Sequence, residues 1–220
     1  MNISEIKTLL ASEDPQLRLR GLVALKDHDS ETAVPLLINQ RQDEAFLVRS
    51  FVAMGLGRKR TEAGYETLLT MLTTESDNNV QAEIANSLGL HGPRAVDRLV
   101  ELFYETDNWL VRRSILAIMP ELERPAQLLE ISLEALKDSD KTIFQAGVAT
   151  LGMLAKTKQA ETALDALLPI LQEEDWRSRM YLAYALKAFD TESAKAALVQ
   201  LRQDDHHKVV AAALEDLLPT

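Results

Sequence analysis

Cysteine is absent from the 220 residues, so no disulfide can form and no thiolate can hold zinc, an iron–sulfur cluster or a covalent intermediate. Aromatic residues are scarce, at 5%. That scarcity argues against a sheet, since aromatic and β-branched residues favour strands while the plentiful Ala and Leu favour helices. Positive charge is short as well: 24 Lys and Arg stand against 34 Asp and Glu, a formal charge of -10. A phosphate backbone or an anionic membrane surface is a poor partner for such a chain. No apolar run approaches the ~20 residues that span a bilayer. The most apolar stretch, AFLVRSFVAMGLGRK at residues 45–59, is interrupted by Arg49 and Arg58. The first residues, MNISEIKTLLASEDP, have no basic start followed by a long apolar core, so no signal peptide and a cytoplasmic location are expected.

Catalytic motifs are missing too. There is no Gly-x-Ser-x-Gly and no His-Glu-x-x-His, and the four histidines (His28, His91, His206, His207) form no ligand spacing. Gly55-Leu56-Gly57 lacks the Lys-Ser/Thr of a phosphate loop. Gly55, Gly89 and Gly152 lie near expected helix ends, where glycine supplies a left-handed cap. No catalytic residue, metal site or cofactor is assigned.

What the chain does have is periodicity. Apolar pairs eight residues apart recur at intervals of 31 to 35 residues: Leu17/Leu25, Val48/Leu56, Val80/Leu88, Val111/Met119, Ile143/Leu151, Ser178/Leu186 and Val209/Leu217, with Ser178 the one polar first member. Midway lie Gly21, Val52, Ile84, Ile115, Gly147, Leu182 and Ala213. Positions 0, +4 and +8 share one face of a helix, so each series is the buried stripe of a helix B. An Asp-rich turn precedes each, suited to helix capping, and before each turn runs a second amphipathic pattern, helix A. Pro35 and Pro169 fall inside helices A and are expected to kink them. Seven units result, at approximately 1–27, 28–59, 60–91, 92–121, 122–156, 157–189 and 190–220, read as one domain.

The segments DPQLRLRGLVAL, FLVRSFVAMGLG, NNVQAEIANSLG and WLVRRSILAIMP resemble HEAT repeats, and the short unit is similar to the compact repeats of the phycobilisome-lyase group. The resemblance implies an all-α, right-handed α-solenoid with helices A on the convex side and helices B on the concave side. It also implies a ladder of charged contacts between adjacent repeats, built from Arg18, Asp43, Arg49, Asp107, Arg112 and Arg179.

Residues at +2, +3 and +6 of helix B point away from the stripe, towards the expected concave face. Polar ones include Glu83, Asn86 and Arg113; apolar ones include Val23, Phe51, Met54, Met180, Tyr181 and Tyr184. Apolar side chains on such a face suit a partner protein, unless curvature buries them against neighbouring helices. The expected function is a non-catalytic protein-interaction scaffold. The resemblance implies partners such as a phycobiliprotein, a lyase subunit or an iron–sulfur assembly protein. It also implies an alternative, a subunit of a bilin lyase or a bilin-handling chaperone for phycocyanobilin, in which Tyr181 or Tyr184 stacks on the bilin and Arg113 pairs a propionate. HEAT-like DNA glycosylases are a third resemblance, with Trp109 and Trp176 facing DNA, but the acidic balance opposes them.

Overall fold

In the computed structural model, which describes residues 1–215, the stripes become helices. Helices A and B alternate as α1 (Ile3–Leu10) and α2 (Pro15–Ala24), α3 (Ser30–Asn39) and α4 (Phe46–Lys59), α5 (Glu62–Thr74) and α6 (Asn78–Gly89), α7 (Val96–Glu105) and α8 (Trp109–Ile118). They continue as α9 (Pro125–Ala135) and α10 (Lys141–Gly152), α11 (Ala160–Leu167) and α12 (Trp176–Leu186), α13 (Glu192–Leu201) and α14 (His207–Leu214). No strand occurs among the described residues, and none of their helices is long and apolar enough to cross a membrane. The chain is an all-α solenoid of helix pairs. It divides into two compact units, Met1–Leu122 with α1–α8 and Glu123–Thr220 with α9–α14.

The stripe forms the core. Val48, Val52, Leu56, Val80, Ile84, Leu88, Val111, Ile115 and Met119 are all 0% exposed. Ser178 is equally buried, because its hydroxyl donates to Asp175 at 2.9 Å and needs no water. Leu17 departs from the pattern at 37% exposed, while its neighbour Arg18 is buried. Leu217 lies outside the described residues.

The Asp-rich turns cap most helices B; α4 starts at Ala45 without a side-chain cap, and the His206 ring caps α14. Asp14, Asp77, Asn108, Asp140 and Asp175 each accept a backbone N–H of the first turn of α2, α6, α8, α10 and α12. At the other ends, α8 and α11 stop before Pro120 and Pro169 and continue as short 3-10 helices, Met119–Leu122 and Leu168–Gln172. Helix α3 runs through Pro35.

Within each unit, successive helices B lie directly against one another: α2, α4, α6 and α8 in the first, α10, α12 and α14 in the second. Helices A approach one another less, so helices B form the tighter layer of each unit. Glycines make this possible, and here the capping expectation is corrected. Gly55, Gly89 and Gly152 are helical, and none has a positive φ. A Cβ on Gly89 would meet Ile118 Cγ1 at 2.2 Å, one on Gly152 would meet the Ala185 Cα at 2.8 Å, and one on Gly57 the Ser87 Cα at 2.8 Å. These glycines serve close approach between neighbouring helices B. Gly55 does the same between α4 and α3, where a Cβ would stand 2.7 Å from Leu37 Cδ2. The left-handed cap of α4 is instead Arg60, with φ 50° and ψ 40°.

Candidate functional site

Two stripe-free positions of α4, Phe51 and Met54, lie half-buried beside an apolar pocket of about 180 Å³. The C-terminal half of α2 supplies Leu22 and Val23, the turn after it Leu25, and α3 Leu37. Gly55 lets α4 settle onto Leu37, which brings Phe51 and Met54 towards α2. Val23, at the same register in its helix as Met54, is 45% exposed. The lip is basic: Lys26, Arg58 and Lys59. The Lys59 ammonium donates to the carbonyls of Lys26 (3.1 Å) and His28. It thereby ties the end of α4 to the preceding loop and satisfies carbonyls left over at a helix terminus.

Sequence reasoning named Phe51, Met54 and Val23. It missed Lys26, Leu37 and Arg58 as part of the same feature. The signal was present: position +10 of helix B, occupied by Arg58, lies one turn beyond +6 on the same face.

The other expected surface residues are placed as follows. Glu83 and Asn86 are half-buried on α6, the next helix B. Burial pushes the Glu83 carboxyl up from its ordinary range, against a hydrogen bond from the Ser87 hydroxyl (3.3 Å) and the attraction of Arg58. Arg113 is exposed on α8. Met180 and Tyr181 are half-buried on α12, and Tyr184 is 46% exposed, with the Lys187 ammonium 5.3 Å from its ring centroid. The structure therefore gathers Phe51 and Met54 in the first unit, while Met180, Tyr181 and Tyr184 share a helix of the second.

The arginines after the stripe form rungs of one design. Arg18 Nε and Nη2 donate to Asp43 of the next repeat at 2.6 and 2.8 Å, and Nη1 donates to the carbonyls of Ser12 and Glu13 in its own turn. Arg49 grips Glu75 at 2.6 and 2.9 Å and the carbonyls of Asp43 and Glu44. Arg179 grips Asp204 at 2.6 and 2.9 Å, Asp205 at 2.7 Å, and the carbonyls of Glu173 and Glu174. The planar guanidinium suits this because its donors point in a fixed fork. Each acid in turn accepts backbone N–H groups of its own turn: Asp43 from Ala45, Glu75 from Ser76 and Asp77, Asp204 from His206. The Asp43 carboxylate thus pairs with Arg18 of the preceding repeat, and it is the Asp43 carbonyl that Arg49 uses. Arg112 Nε donates to the carbonyls of Thr106 (2.7 Å) and Phe103 (3.2 Å), and Nη2 reaches Asp107 at 3.3 Å. Hydrogen bonding from Arg179 holds Asp204 down to about 2. Burial would raise Glu75, but Arg49 and the turn N–H groups keep it below its usual range.

The aromatic turn residues differ from one another. Trp176 stacks on His206 of the following repeat, with ring centroids 4.0 Å apart and planes within 4°, and His206 stacks in turn on His207. His206 is half-buried and His207 exposed, so the stack lies in a solvent-facing turn. Trp109 is 47% exposed. His91 packs 5.2 Å from Tyr65, and burial followed by Arg94 and Arg60 pushes it below its ordinary value. No cluster of three or more potential metal-ligating side chains occurs among the described residues.

No match is found among curated protein sequences. Among solved structures, the chain is similar to the E. coli protein YibA, with TM-score 0.69, 17% identity, and coverage of 100% of this chain and 84% of that one. It is also similar to the complex of CpcE and CpcF of phycocyanin lyase from Nostoc sp. PCC7120, with TM-score 0.57, 17% identity and coverage of 99% and 95%. An engineered protein matches with TM-score 0.56 at 18% identity, covering 90% and 98%. At such identities the likeness concerns the fold. The family model for HEAT repeats matches residues 3–89, 41–119 and 129–218, and with its stripes, capped turns and paired helices, this chain belongs to the HEAT-repeat family.

Proposed function

We propose that the protein is a non-catalytic scaffold that binds a partner protein on the exposed face of its helices B. The observation that carries this reading is the apolar pocket beside Phe51 and Met54, because neither side chain is needed by the buried stripe and yet both are held in place around a cavity. The polar rungs do not compete for this role, since their donors are consumed by the turns they join. Tyr181 and Tyr184 offer a second contact area on α12, and Glu83 and Asn86 on α6 and Arg113 on α8 would supply polar contacts. In this reading the partner belongs to phycobilisome or cofactor assembly, as the structural likeness to the lyase complex suggests, and the scaffold acts in the cytoplasm.

A bilin-lyase subunit is the second reading, favoured by that same likeness. Against it, a pocket of about 180 Å³ lies below the ~300–1,000 Å³ typical of ligand sites, so it does not enclose a four-ring tetrapyrrole. Mixing the protein with phycocyanobilin, with and without an acceptor phycobiliprotein, tests it; an unchanged absorption spectrum removes it.

The scaffold reading is tested by affinity capture from the source cells with the unaltered protein, Phe51→Asp and Tyr181→Asp, each checked for helicity by circular dichroism. Loss of the same captured protein with Phe51→Asp supports the reading. If both variants fold and keep every partner, it fails.

A further inference from the structure

The lip of the pocket departs from the charge balance of the chain. The pocket is lined by three cations, Lys26, Arg58 and Lys59, and by no carboxylate. Lys26 and Arg58 form no ion pair among the described residues, and both are exposed. They flank the opening of an apolar cavity in a protein whose formal charge is -10. Arg58 is attracted by Glu83 on the next helix B, and the pocket lining itself still carries only positive charge, a local excess that selects partners by sign. The cavity in turn limits size: an apolar cavity of about 150 Å³ admits benzene, so about 180 Å³ admits one Phe or Leu side chain and little more.

The geometry points to a specific occupant, a peptide segment of a partner protein that inserts one Phe or Leu into the pocket and carries Asp or Glu on either side of it. Phe51, Met54 and Val23 receive the apolar side chain, and Lys26 and Arg58 pair with the flanking carboxylates. Lys59, engaged with two carbonyls, holds the lip in shape. This assignment rests on the scaffold reading and narrows it to one site and one chemical class of partner.

The test uses the full chain and a fluorescein-labelled synthetic peptide in which a single Phe stands between Glu residues, followed by fluorescence anisotropy. Saturable binding is expected. It should be lost when the peptide Phe is replaced by Ala or its Glu residues by Lys, and lost with Phe51→Asp. The double variant Lys26→Glu/Arg58→Glu should weaken it about tenfold. Raising salt from about 0.01 M to 0.1 M, which shortens the screening length from ~30 to ~10 Å, should weaken it several-fold. No saturable binding of the acidic peptide overturns the proposal, as does equal binding of the Lys-containing peptide. Binding of decanoate with the same Phe51 dependence, in the absence of peptide binding, overturns it in favour of a fatty-acid site. Binding that needs Phe51 but ignores charge reversal at Lys26 and Arg58 removes the acidic specificity while the scaffold reading stands. The scaffold reading fails separately, when Phe51→Asp keeps every cellular partner.

Discussion

In the first unit, Arg18 and Arg49 reach from one turn to the acid of the next, so two successive joints are closed by bidentate ion pairs with side chains between 5% and 18% exposed. In the second unit, the joint between α10 and α12 has Phe144 where those arginines stand, and it is closed by the Gln145 amide on Asp175 at 3.0 Å and by an exposed Lys141–Glu173 contact at 3.3 Å. Below it, α9 and α10 meet through a buried hydroxyl pair, Ser132 and Thr150, at 2.7 Å. The following joint returns to the arginine design, Arg179 on Asp204. The stripe is present at every one of these joints. The apolar stripe therefore suffices to stack the helices, and the rung adds a fixed register between turns. A joint without an arginine is tolerated because the Asp175 carboxylate is satisfied by the Gln145 amide, the Ser178 hydroxyl and the N–H groups of its own turn.

Breaking the rungs gives the largest effects. Arg179→Met leaves Asp204, whose side chain is 7% exposed, without its partner, and should cost about 3–5 kcal/mol by urea denaturation. Arg49→Met should behave alike, since Glu75 is 6% exposed. Gln145→Ala, at the neutral joint, should cost only about 1 kcal/mol. Acid sharpens the contrast. Asp204 sits at about 2, below the ordinary carboxylate value, so its contribution is complete above that ordinary value and is lost as pH falls through about 4 towards 2. That loss, on the order of 2 kcal/mol, should vanish in Arg179→Met.

Next come the glycines between helices B. Gly57→Ala and Gly152→Ala, one in each unit, place a methyl group 2.8 Å from a neighbouring backbone Cα, which cannot swing away as a side chain can. Both should lose about 1–3 kcal/mol. Gly92, with φ 82° and ψ -159°, has open space around it but a backbone conformation open essentially to glycine alone, so Ala there should also lose about 1–3 kcal/mol, through conformation and not contact. No loss at Gly57 and Gly152 would mean that close approach is not what those two glycines provide.

The stripe was readable because a period of 3.6 is a property of the local sequence, and burial at 0, +4 and +8 follows from it wherever helices stack. Caps were readable for the same reason: Asp77 or Asp175 needs only the N–H groups of its own first turn. The rest depends on what lies across a joint. Gly89 near a helix end suggests a cap until Ile118 of the next repeat is in view. Asp43 lies six residues before Arg49, yet it pairs with Arg18, 25 residues away. The pocket has the same origin. Phe51 and Met54 could be named from their register, but Lys26 and Leu37 join them only through the way α4 settles on α3 and α2.

Smaller effects test single positions. Arg60 ends α4 in the left-handed region, which disfavours a side chain, and Glu123, just after the 3-10 helix Met119–Leu122, also has a positive φ, 54°. Arg60→Gly and Glu123→Gly should each raise stability by about 0.5–1 kcal/mol, relief of backbone strain outweighing the added freedom of the unfolded chain.

The smallest effect belongs to Glu83. Burial raises its folded value above the unfolded one, so between the two the folded chain holds a proton that the unfolded chain has released. Stability must then fall as pH rises through that window, opposite in direction to Asp204 in the second unit. Glu83→Gln should abolish the fall and be more stable than the unaltered protein at neutral pH by under about 1 kcal/mol, partial exposure and the attraction of Arg58 limiting the gain. Thermal melts at about pH 4 and about pH 7 distinguish the cases. A Glu83→Gln protein whose advantage is the same at both would mean that the Glu83 carboxyl is solvated rather than desolvated beside the pocket.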